Sequence, residues 1–197
     1  MRPMETKTKK PVPALEDLKA ELKREQNKYR CAGVLKSVVY ALVVVTAIAV
    51  LAATLWMPVF QIYGPSMLPT LEEGQIVVSL KDADFGQGDL VAFYIGNELL
   101  VKRVIAGPDQ IINITEDGVV SVDGMILDEP YVQDMALGEC DLEFPYQVPE
   151  ARYFLMGDNR STSVDSRSTT VGCVAMEQIA GKIVFCVWPF GNFGVIK

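Results

Sequence analysis

The sequence predicts a mostly β fold: a domain of antiparallel strands with a small inserted β subdomain, preceded by one transmembrane helix. The first observation is an uncharged run of 23 residues, from Val38 to Phe60. The second is a set of short β-branched runs that follows it, separated by turns that contain Gly, Asp, Asn and Pro. The third is charge: residues 1–36 hold ten basic and five acidic residues, whereas the rest hold eight basic and twenty acidic ones.

The uncharged run is long enough to cross a membrane, because about 20 apolar residues span a bilayer. The alternative is a cleavable targeting segment, but such a segment has a short basic start and an apolar stretch of roughly 7–15 residues. Here a long basic tail comes first. We therefore predict a tail at 1–36, a transmembrane helix at 37–59 and a folded domain at 60–197.

The basic residues predict the orientation of this helix. Six Lys or Arg residues lie between Lys19 and Lys36, and none lies between Ser37 and Leu80. The side richer in Lys and Arg stays in the cytoplasm. We therefore expect a single-pass protein of the cell membrane. Its tail, which contains a short solvated helix, is cytoplasmic, and its folded domain is extracytoplasmic.

Seven runs in the domain have the composition of β-strands. Asp117-Gly118, between two of them, is a hairpin signal. Only Ala175–Ala180 has a brief helical pattern, and residues 107–151, rich in Pro, Asp and Glu, are predicted to form the inserted subdomain. The predicted strands are 76–80, 89–95, 99–106, 111–115, 119–124, 152–157 and 182–188.

Composition also excludes some classes of function. An acidic domain argues against a nucleic-acid partner. With no histidine and no C-x-x-C pair, the sequence gives no reason to expect a zinc site, and we predict neither metal nor cofactor. The sequence leaves open whether Cys140, Cys173 and Cys186 form one disulfide plus a thiol or remain buried thiols.

A candidate nucleophile lies in the stretch GPSMLPT, where Ser66 stands between two prolines. Without histidine, the base that activates it must be another group. Lys102 is the best candidate, because it lies inside the apolar strand LLVKRVIA, flanked on its own face by Leu100 and Val104. Burial lowers the pKa of a lysine towards the working pH. The alternative is a lysine on an edge strand that prevents aggregation.

A third stretch, GDNRSTSVDSR at 157–167, is rich in side chains that could hydrogen-bond a neighbouring base. Its arginines, Arg160 and Arg167, could balance Asp158 and Asp165. Taken alone, the stretch is better explained as a polar surface loop, since Gly-Asp-Asn is ordinary turn composition.

Taken together and in this order, these stretches resemble the type I signal peptidases, membrane-bound serine proteases that use a Ser–Lys dyad. The resemblance covers residues 38–190 and implies that fold. The motifs that carry it are FQIYGPSMLPTL (60–71), GDLVAF (88–93), VKRVIAG (101–107), VSVDGMILDEPYV (120–132), GDNRSTSVDSR (157–167) and GKIVFCVWPF (181–190).

The resemblance implies a role for each matching residue. Ser66 would be the nucleophile, and its backbone N–H would bind the oxyanion. Lys102, kept neutral, would be the general base, and Ser163 would hydrogen-bond its amine.

Four further residues take supporting roles by resemblance. Asp165 and Arg167 would pair and hold the loop, with Arg103 close by. Many members carry a hydroxyl two residues before the nucleophile, where this chain has Gly64. That oxyanion donor is therefore missing here or replaced by a backbone group.

The resemblance also implies the substrate. The family cleaves secreted preproteins after Ala-x-Ala patterns, at the surface of the lipid bilayer, and binds the peptide as an added strand. Shallow apolar pockets for the small side chains would be lined by Phe60, Ile62, Met67, Leu71 and Leu100, whose other interpretation is core or membrane-facing packing. For Trp188 we favour a place in the core over contact with lipid.

Two alternatives stay open at this point. One is a related Ser–Lys peptidase that cuts itself or one dedicated partner. The other is an inactive membrane-tethered binding module, which we would expect to have lost Ser66 or Lys102.

Overall fold

The computed structural model describes residues 15–196, in which one long helix precedes twelve β-strands. All strand pairs are antiparallel, so the predicted fold class is confirmed. The chain divides into a helical unit that ends at Leu51 and a β unit that begins at Ala52. The elements are α1 (Leu15–Trp56), β1 (Val59–Gln61), β2 (Ile76–Leu80), β3 (Leu90–Ile95), β4 (Glu98–Ala106), β5 (Ile111–Ile114), β6 (Val120–Val122), β7 (Met125–Ile126), β8 (Tyr146–Gln147), β9 (Arg152–Met156), β10 (Val174–Ala175), β11 (Ile179–Trp188) and β12 (Gly194–Val195), with 3-10 turns at Met176–Gln178 and Phe190–Asn192.

Helix α1 differs from the prediction at both ends. It is one continuous helix of 42 residues, because no proline interrupts it, and at 1.5 Å per residue it is about 63 Å long. It stops at Trp56 rather than at residue 59, since Pro58 disfavours the helical conformation of Met57. Its stretch from Leu18 to Trp56 is long and apolar enough to cross a membrane. Residues 1–14 of the predicted tail lie outside the described residues.

The larger sheet has eight strands in the order β1-β2-β11-β3-β4-β9-β10, with β12 paired to β11. Strand β4 is shared between two partners. Its residues 98–103 pair with β3, and its residues 103–106 pair with β9. Within the described residues, one edge of β4 from Glu98 to Lys102 and one edge of β1 therefore have no strand partner.

The smaller sheet, in the order β7-β6-β5-β8, lies within residues 111–147, inside the predicted insertion. The hairpin predicted at Asp117-Gly118 joins β5 to β6. This sheet does not have a core of its own. Its Ile112 and Val122 pack in one buried cluster with Ile105 and Phe154 of the larger sheet.

The seven predicted strands all form, with ends that differ by at most three residues. Five further strands were not predicted because they have only two or three residues each: β1, β7, β8, β10 and β12. The helical prediction for Ala175–Ala180 is wrong apart from one 3-10 turn, since Ile179 already pairs with Phe93 in the larger sheet.

The prediction that Trp188 belongs to the core is also wrong. Trp188 is the last residue of β11 and is 48 % exposed. Its ring packs edge-on against Phe190, with 5.0 Å between the ring centroids. The exposed Phe193 and Val195 follow closely in the chain, so this end of the sheet presents apolar side chains at the surface.

Candidate active site

Ser66 lies in the loop between β1 and β2. Its neighbour Met67 is fully buried, and the loop is closed by hydrogen bonds from the Leu68 N–H to the Pro65 carbonyl and from the Leu71 N–H to the Met67 carbonyl. Ser66 itself is half-buried. The buried Met67 therefore anchors the loop in the core, while the Ser66 side chain stays accessible.

Gly64 has a backbone φ of 78°, in the left-handed region that favours glycine. A Cβ at this position would have space around it, so the backbone conformation is the reason for glycine here. A residue with a hydroxyl side chain would strain the turn that leads into Ser66.

Lys102 lies on β4 and is only 3 % exposed. Burial lowers the pKa of Lys102 to about 8, because desolvation disfavours the charged amine. The carboxylates of Asp165 and Asp158 oppose this shift, and the Arg167 guanidinium adds to it. A lysine with such a pKa is neutral in a large fraction of molecules under mildly alkaline conditions.

One cavity of 320 Å³ is lined by both Ser66 and Lys102. It lies between β1 with the start of its loop and the unpaired edge of β4. Neither side chain is hydrogen-bonded to another described residue, and contacts between a candidate nucleophile and its base often tighten only when substrate is bound. The other lining residues are Phe60, Gln61, Ile62, Tyr63, Met67, Glu98, Leu99, Leu100 and Val101.

Four of the five predicted pocket residues line this cavity, and Leu71 does not. Leu71 is 1 % exposed and packs against Val77 and Ile183 in the core. The prediction is wrong for Leu71 because its side chain packs in the hydrophobic core and not against the cavity. A single sequence cannot tell which apolar residue of a loop faces the core.

The loop at 157–167 is fixed by a buried ion pair. Asp165 accepts hydrogen bonds from the Arg167 Nε and Nη2 atoms, each at 2.8 Å, and from the Gly157 N–H at 2.9 Å. The predicted pairing of Asp165 with Arg167 is confirmed. The Asn159 N–H donates to the Ser66 carbonyl at 3.1 Å, so this loop also holds the Ser66 backbone.

Ser163 lies in the same loop, and its hydroxyl is buried without a hydrogen-bond partner among the described residues. The predicted bond between Ser163 and Lys102 is not formed in this structure. The Ser163 hydroxyl lies close to Gly157: a Cβ on Gly157 would overlap both this hydroxyl and the Ser66 carbonyl. Glycine at 157 therefore lets the loop pack directly against the Ser66 backbone.

Arg103 pairs with Asp158, not with the Asp165–Arg167 pair. Its Nε and Nη2 atoms donate to the two Asp158 carboxylate oxygens at 2.8 and 2.6 Å. The proposed partner of Asp158, Arg160, instead binds Glu129 of the inserted segment. Because 55 and 31 residues separate these partners, no local signal in the sequence could have paired them.

Other candidate sites are absent from the described residues. No group of three or more acidic or cysteine side chains is arranged to hold a metal ion. Cys140, Cys173 and Cys186 are free thiols, and burial raises the pKa of Cys173. The absence of a metal or cofactor from the chemistry stays a prediction.

Comparison with known proteins connects this site to one family. The family model for signal peptidase, peptidase S26, matches residues 35–188. The chain is 37 % identical over 160 residues to a signal peptidase I of Bacillus caldolyticus, covering 72 % of this chain and 86 % of that protein. It is 33 % identical over 154 residues to a signal peptidase IB of Staphylococcus aureus strain COL, covering 68 % of this chain and 79 % of that protein.

A solved structure is also similar. A signal peptidase I from Enterococcus faecalis aligns with 50 % of this chain and 96 % of its own, at 27 % identity and a TM-score of 0.42. The family match spans β1 to β11 and includes both residues that line the cavity as candidate nucleophile and base. Because the family model covers more than half of the chain, the chain belongs to the signal peptidase family, peptidase family S26.

Proposed function

We propose that this chain is a signal peptidase I that removes N-terminal signal peptides from secreted preproteins, cutting after Ala-x-Ala-like sites. Ser66 is the nucleophile and Lys102 is the general base. The observation that carries the proposal is their common cavity, in which a half-buried serine faces a groove that also contains a buried lysine of lowered pKa.

In the first half of the reaction, the Ser66 Oγ attacks the scissile carbonyl carbon while its proton passes to the neutral Lys102 Nζ. The C–N bond then breaks, and Lys102 returns the proton to the leaving amine. In the second half, Lys102 takes a proton from water, which attacks the acyl-enzyme ester. Lys102 then protonates Ser66 again as the signal peptide leaves.

The oxyanion of each tetrahedral intermediate needs a hydrogen-bond donor. The Ser66 N–H is a suitable one, because among the described residues it donates to no other group. Gly64 supplies no side-chain donor. A second donor, where one acts, must come from another group on the wall of the cavity.

The unpaired strand edges support the proposed mode of substrate binding. The edge of β4 from Glu98 to Lys102 and the edge of β1 flank the cavity, so an extended peptide can add as a strand between them. Such binding recognises the peptide backbone whatever its side chains. The lining residues Phe60, Ile62, Met67 and Leu100 then limit the space for the residues just before the cut to small side chains.

The proposed localisation follows from α1 and its flanking charges. We assign a cytoplasmic tail up to Lys36, a membrane-spanning segment from Ser37 to Trp56, and an extracytoplasmic peptidase domain beyond it. Trp56, Trp188 and Phe190 are all exposed in the β unit. Such side chains favour the interface between lipid and water, where the cleavage site of a membrane-inserted preprotein emerges.

A cleavage assay tests this function. The full chain in detergent is incubated with a peptide that carries an apolar run followed by Ala-x-Ala, and the products are identified by mass spectrometry. We expect one cut, after the second alanine, and no cut when both alanines are replaced by phenylalanine. The Ser66→Ala variant, purified in parallel, controls for contaminating proteases.

The same assay separates the alternatives. A parent protein that cuts only its own chain, or one particular preprotein, would support the dedicated peptidase. A folded parent protein that cuts nothing would support the inactive tether. In sealed right-side-out vesicles, cleavage of added peptide without detergent supports the outward orientation, and cleavage only after detergent contradicts it.

The rate of cleavage is expected to depend on pH in a defined direction. Since the pKa of Lys102 is lowered to about 8, kcat/KM should rise as pH increases through 8 and level off above it. Below this pH, the rate should fall about tenfold per pH unit because only neutral Lys102 accepts a proton. A profile that stays flat between pH 5 and 10 would exclude lysine as the base.

A further inference from the structure

Two side chains of the inserted segment lie beside the 157–167 loop, the buried Glu129 and the half-buried Tyr131. Glu129 is buried and accepts hydrogen bonds from the Arg160 Nη1 and Nη2 atoms at 3.1 and 2.5 Å. The Tyr131 hydroxyl donates to Glu129 Oε1 at 3.0 Å, and its ring lies 3.8 Å from the Arg103 guanidinium carbon, measured to the ring centroid. Tyr131 thus connects the insertion to the strand that carries Lys102.

The guanidinium of Arg103 is held on all its edges. In addition to Asp158, it donates from Nη1 to the Gly88 carbonyl at 2.6 Å and from Nη2 to the Thr70 hydroxyl at 3.3 Å. The Thr70 hydroxyl also donates to Asp158. The hydrogen bonds fix the edges of the planar group, and the ring of Tyr131 covers one of its faces.

These contacts connect the two sides of the candidate dyad. Arg103 follows Lys102 directly on β4, and Thr70 lies in the same loop as Ser66. Asp158 precedes Asn159, whose N–H donates to the Ser66 carbonyl. The position of the Arg103 guanidinium therefore influences where the Ser66 loop lies relative to Lys102.

We propose that Tyr131 is a positioning residue for the cleavage reaction: its ring holds the Arg103 guanidinium in place, so that the Ser66 loop and the Lys102 strand keep their relative position. The proposal rests on the function proposed above. It gives the inserted segment a role in the active site, although Tyr131 does not line the cavity.

The ring of Tyr131 makes the contact with Arg103, and the hydroxyl only fixes the orientation of the ring through its hydrogen bond to Glu129. A buried guanidinium over an aromatic face is attracted by the ring quadrupole, an attraction that no aliphatic side chain supplies. Burial and the neighbouring Glu129 raise the pKa of Tyr131, so the hydroxyl stays protonated and continues to donate. Phenylalanine keeps the ring at Arg103, and Glu129 keeps its two hydrogen bonds from Arg160, so Tyr131→Phe should cause little loss. Leucine removes the ring and should cause a larger one.

The test compares kcat and KM for the Ala-x-Ala peptide in three variants. In Tyr131→Leu we expect kcat to fall about tenfold, the order of magnitude of a buried cation–π contact, with KM unchanged because the groove is intact. In Tyr131→Phe we expect kcat to stay within about threefold of the parent. The control is Tyr146→Leu, which removes another ring of the inserted segment, one that packs against Phe154; we expect an unchanged kcat even where stability falls.

A second measurement does not depend on activity. Hydrogen exchange of residues 66–71 should be faster in Tyr131→Leu than in the parent and unchanged in Tyr146→Leu. Tyr131→Met, which fills more of the volume of the ring, takes the place of Tyr131→Leu if that variant does not fold. Faster exchange together with a lower kcat supports the proposal.

Three outcomes would overturn it. One is a kcat in Tyr131→Leu within twofold of the parent, and another is an equal loss in Tyr131→Phe and Tyr131→Leu. The third is unchanged exchange of residues 66–71. A parent that does not cleave the peptide refutes the proposed function instead, and the exchange experiment alone then decides whether Tyr131 holds the loop.

Discussion

Replacement of Lys102 with methionine is expected to abolish peptide cleavage and, at neutral pH, to make the folded protein more stable. A positioned general base contributes up to about 10⁴-fold to a rate, so we expect the loss of Lys102 to lower kcat at least about 1,000-fold. Methionine has a similar length and fits the same buried space. The measurement is single-turnover cleavage followed by mass spectrometry.

The gain in stability follows from the lowered pKa. A shift from 10.5 to about 8 means that charged Lys102 lowers the free energy of unfolding by about 3 kcal/mol below pH 8. Between pH 8 and 10.5 the unfolded chain binds more protons than the folded one, so the stability of the parent rises with pH across this window. The advantage of Lys102→Met should therefore be largest below pH 8 and shrink by pH 10.5.

Guanidinium unfolding at pH 7 and pH 10.5, followed by tryptophan fluorescence in detergent, measures this difference. The control is Lys81→Met, which changes an exposed lysine of the same domain and should alter neither rate nor stability. Retained cleavage in Lys102→Met would show that another group is the base. An inactive variant that is less stable than the parent at pH 7 would contradict the argument from burial.

The change Asp165→Asn is expected to lower the free energy of unfolding by about 3–5 kcal/mol. It leaves Arg167 buried without its counter-charge, and removal of one partner of a buried pair has an effect of this size. The Asp165 carboxylate accepts a hydrogen bond from the Gly157 N–H, and the asparagine amide has an NH2 group, a donor, in place of one of its oxygens. The measurement is again the midpoint of guanidinium unfolding.

A matched control is Asp89→Asn. Asp89 pairs with Lys182 at the same distance, 2.8 Å, but these side chains are 32 % and 26 % exposed. Such a pair contributes less than about 1 kcal/mol. Because the Asp165 carboxylate raises the pKa of Lys102, Asp165→Asn should also move the rise of the pH–rate profile to lower pH. Equal unfolding midpoints for the two variants would contradict the assigned role of burial.

The parts of the fold that depend on local patterns could be predicted from the sequence. Runs such as 76–80 and 99–106 combine β-branched residues with clear turn signals at both ends, and these strands form as expected. Strands of two or three residues, such as β8 and β12, contain too few residues for an alternation to be recognised. The continuity of α1 was not predicted, because the tail helix and the apolar helix were expected as separate elements, although nothing in the sequence between them stops a helix.

In the candidate site, too, local features could be predicted from the sequence and tertiary contacts could not. A lysine in an apolar strand and a serine in a stiff loop are local signals, and both residues line the same cavity. The contacts that hold them depend on tertiary packing. Sequence alone did not identify the ring of Tyr131 over Arg103, or the burial of Leu71, because such contacts join residues distant in the chain.

The two unpaired edges beside the cavity have a consequence for timing in the cell. A peptide can pair with them only if its own N–H and C=O groups are free, and in a helix or a finished hairpin they are already taken. The stretch from Glu98 to Lys102 offers such pairing over five residues of one wall. Under the proposed function, a preprotein would have to present an unfolded junction of about this length, so removal of the signal peptide is expected to precede the folding of the chain next to the cut.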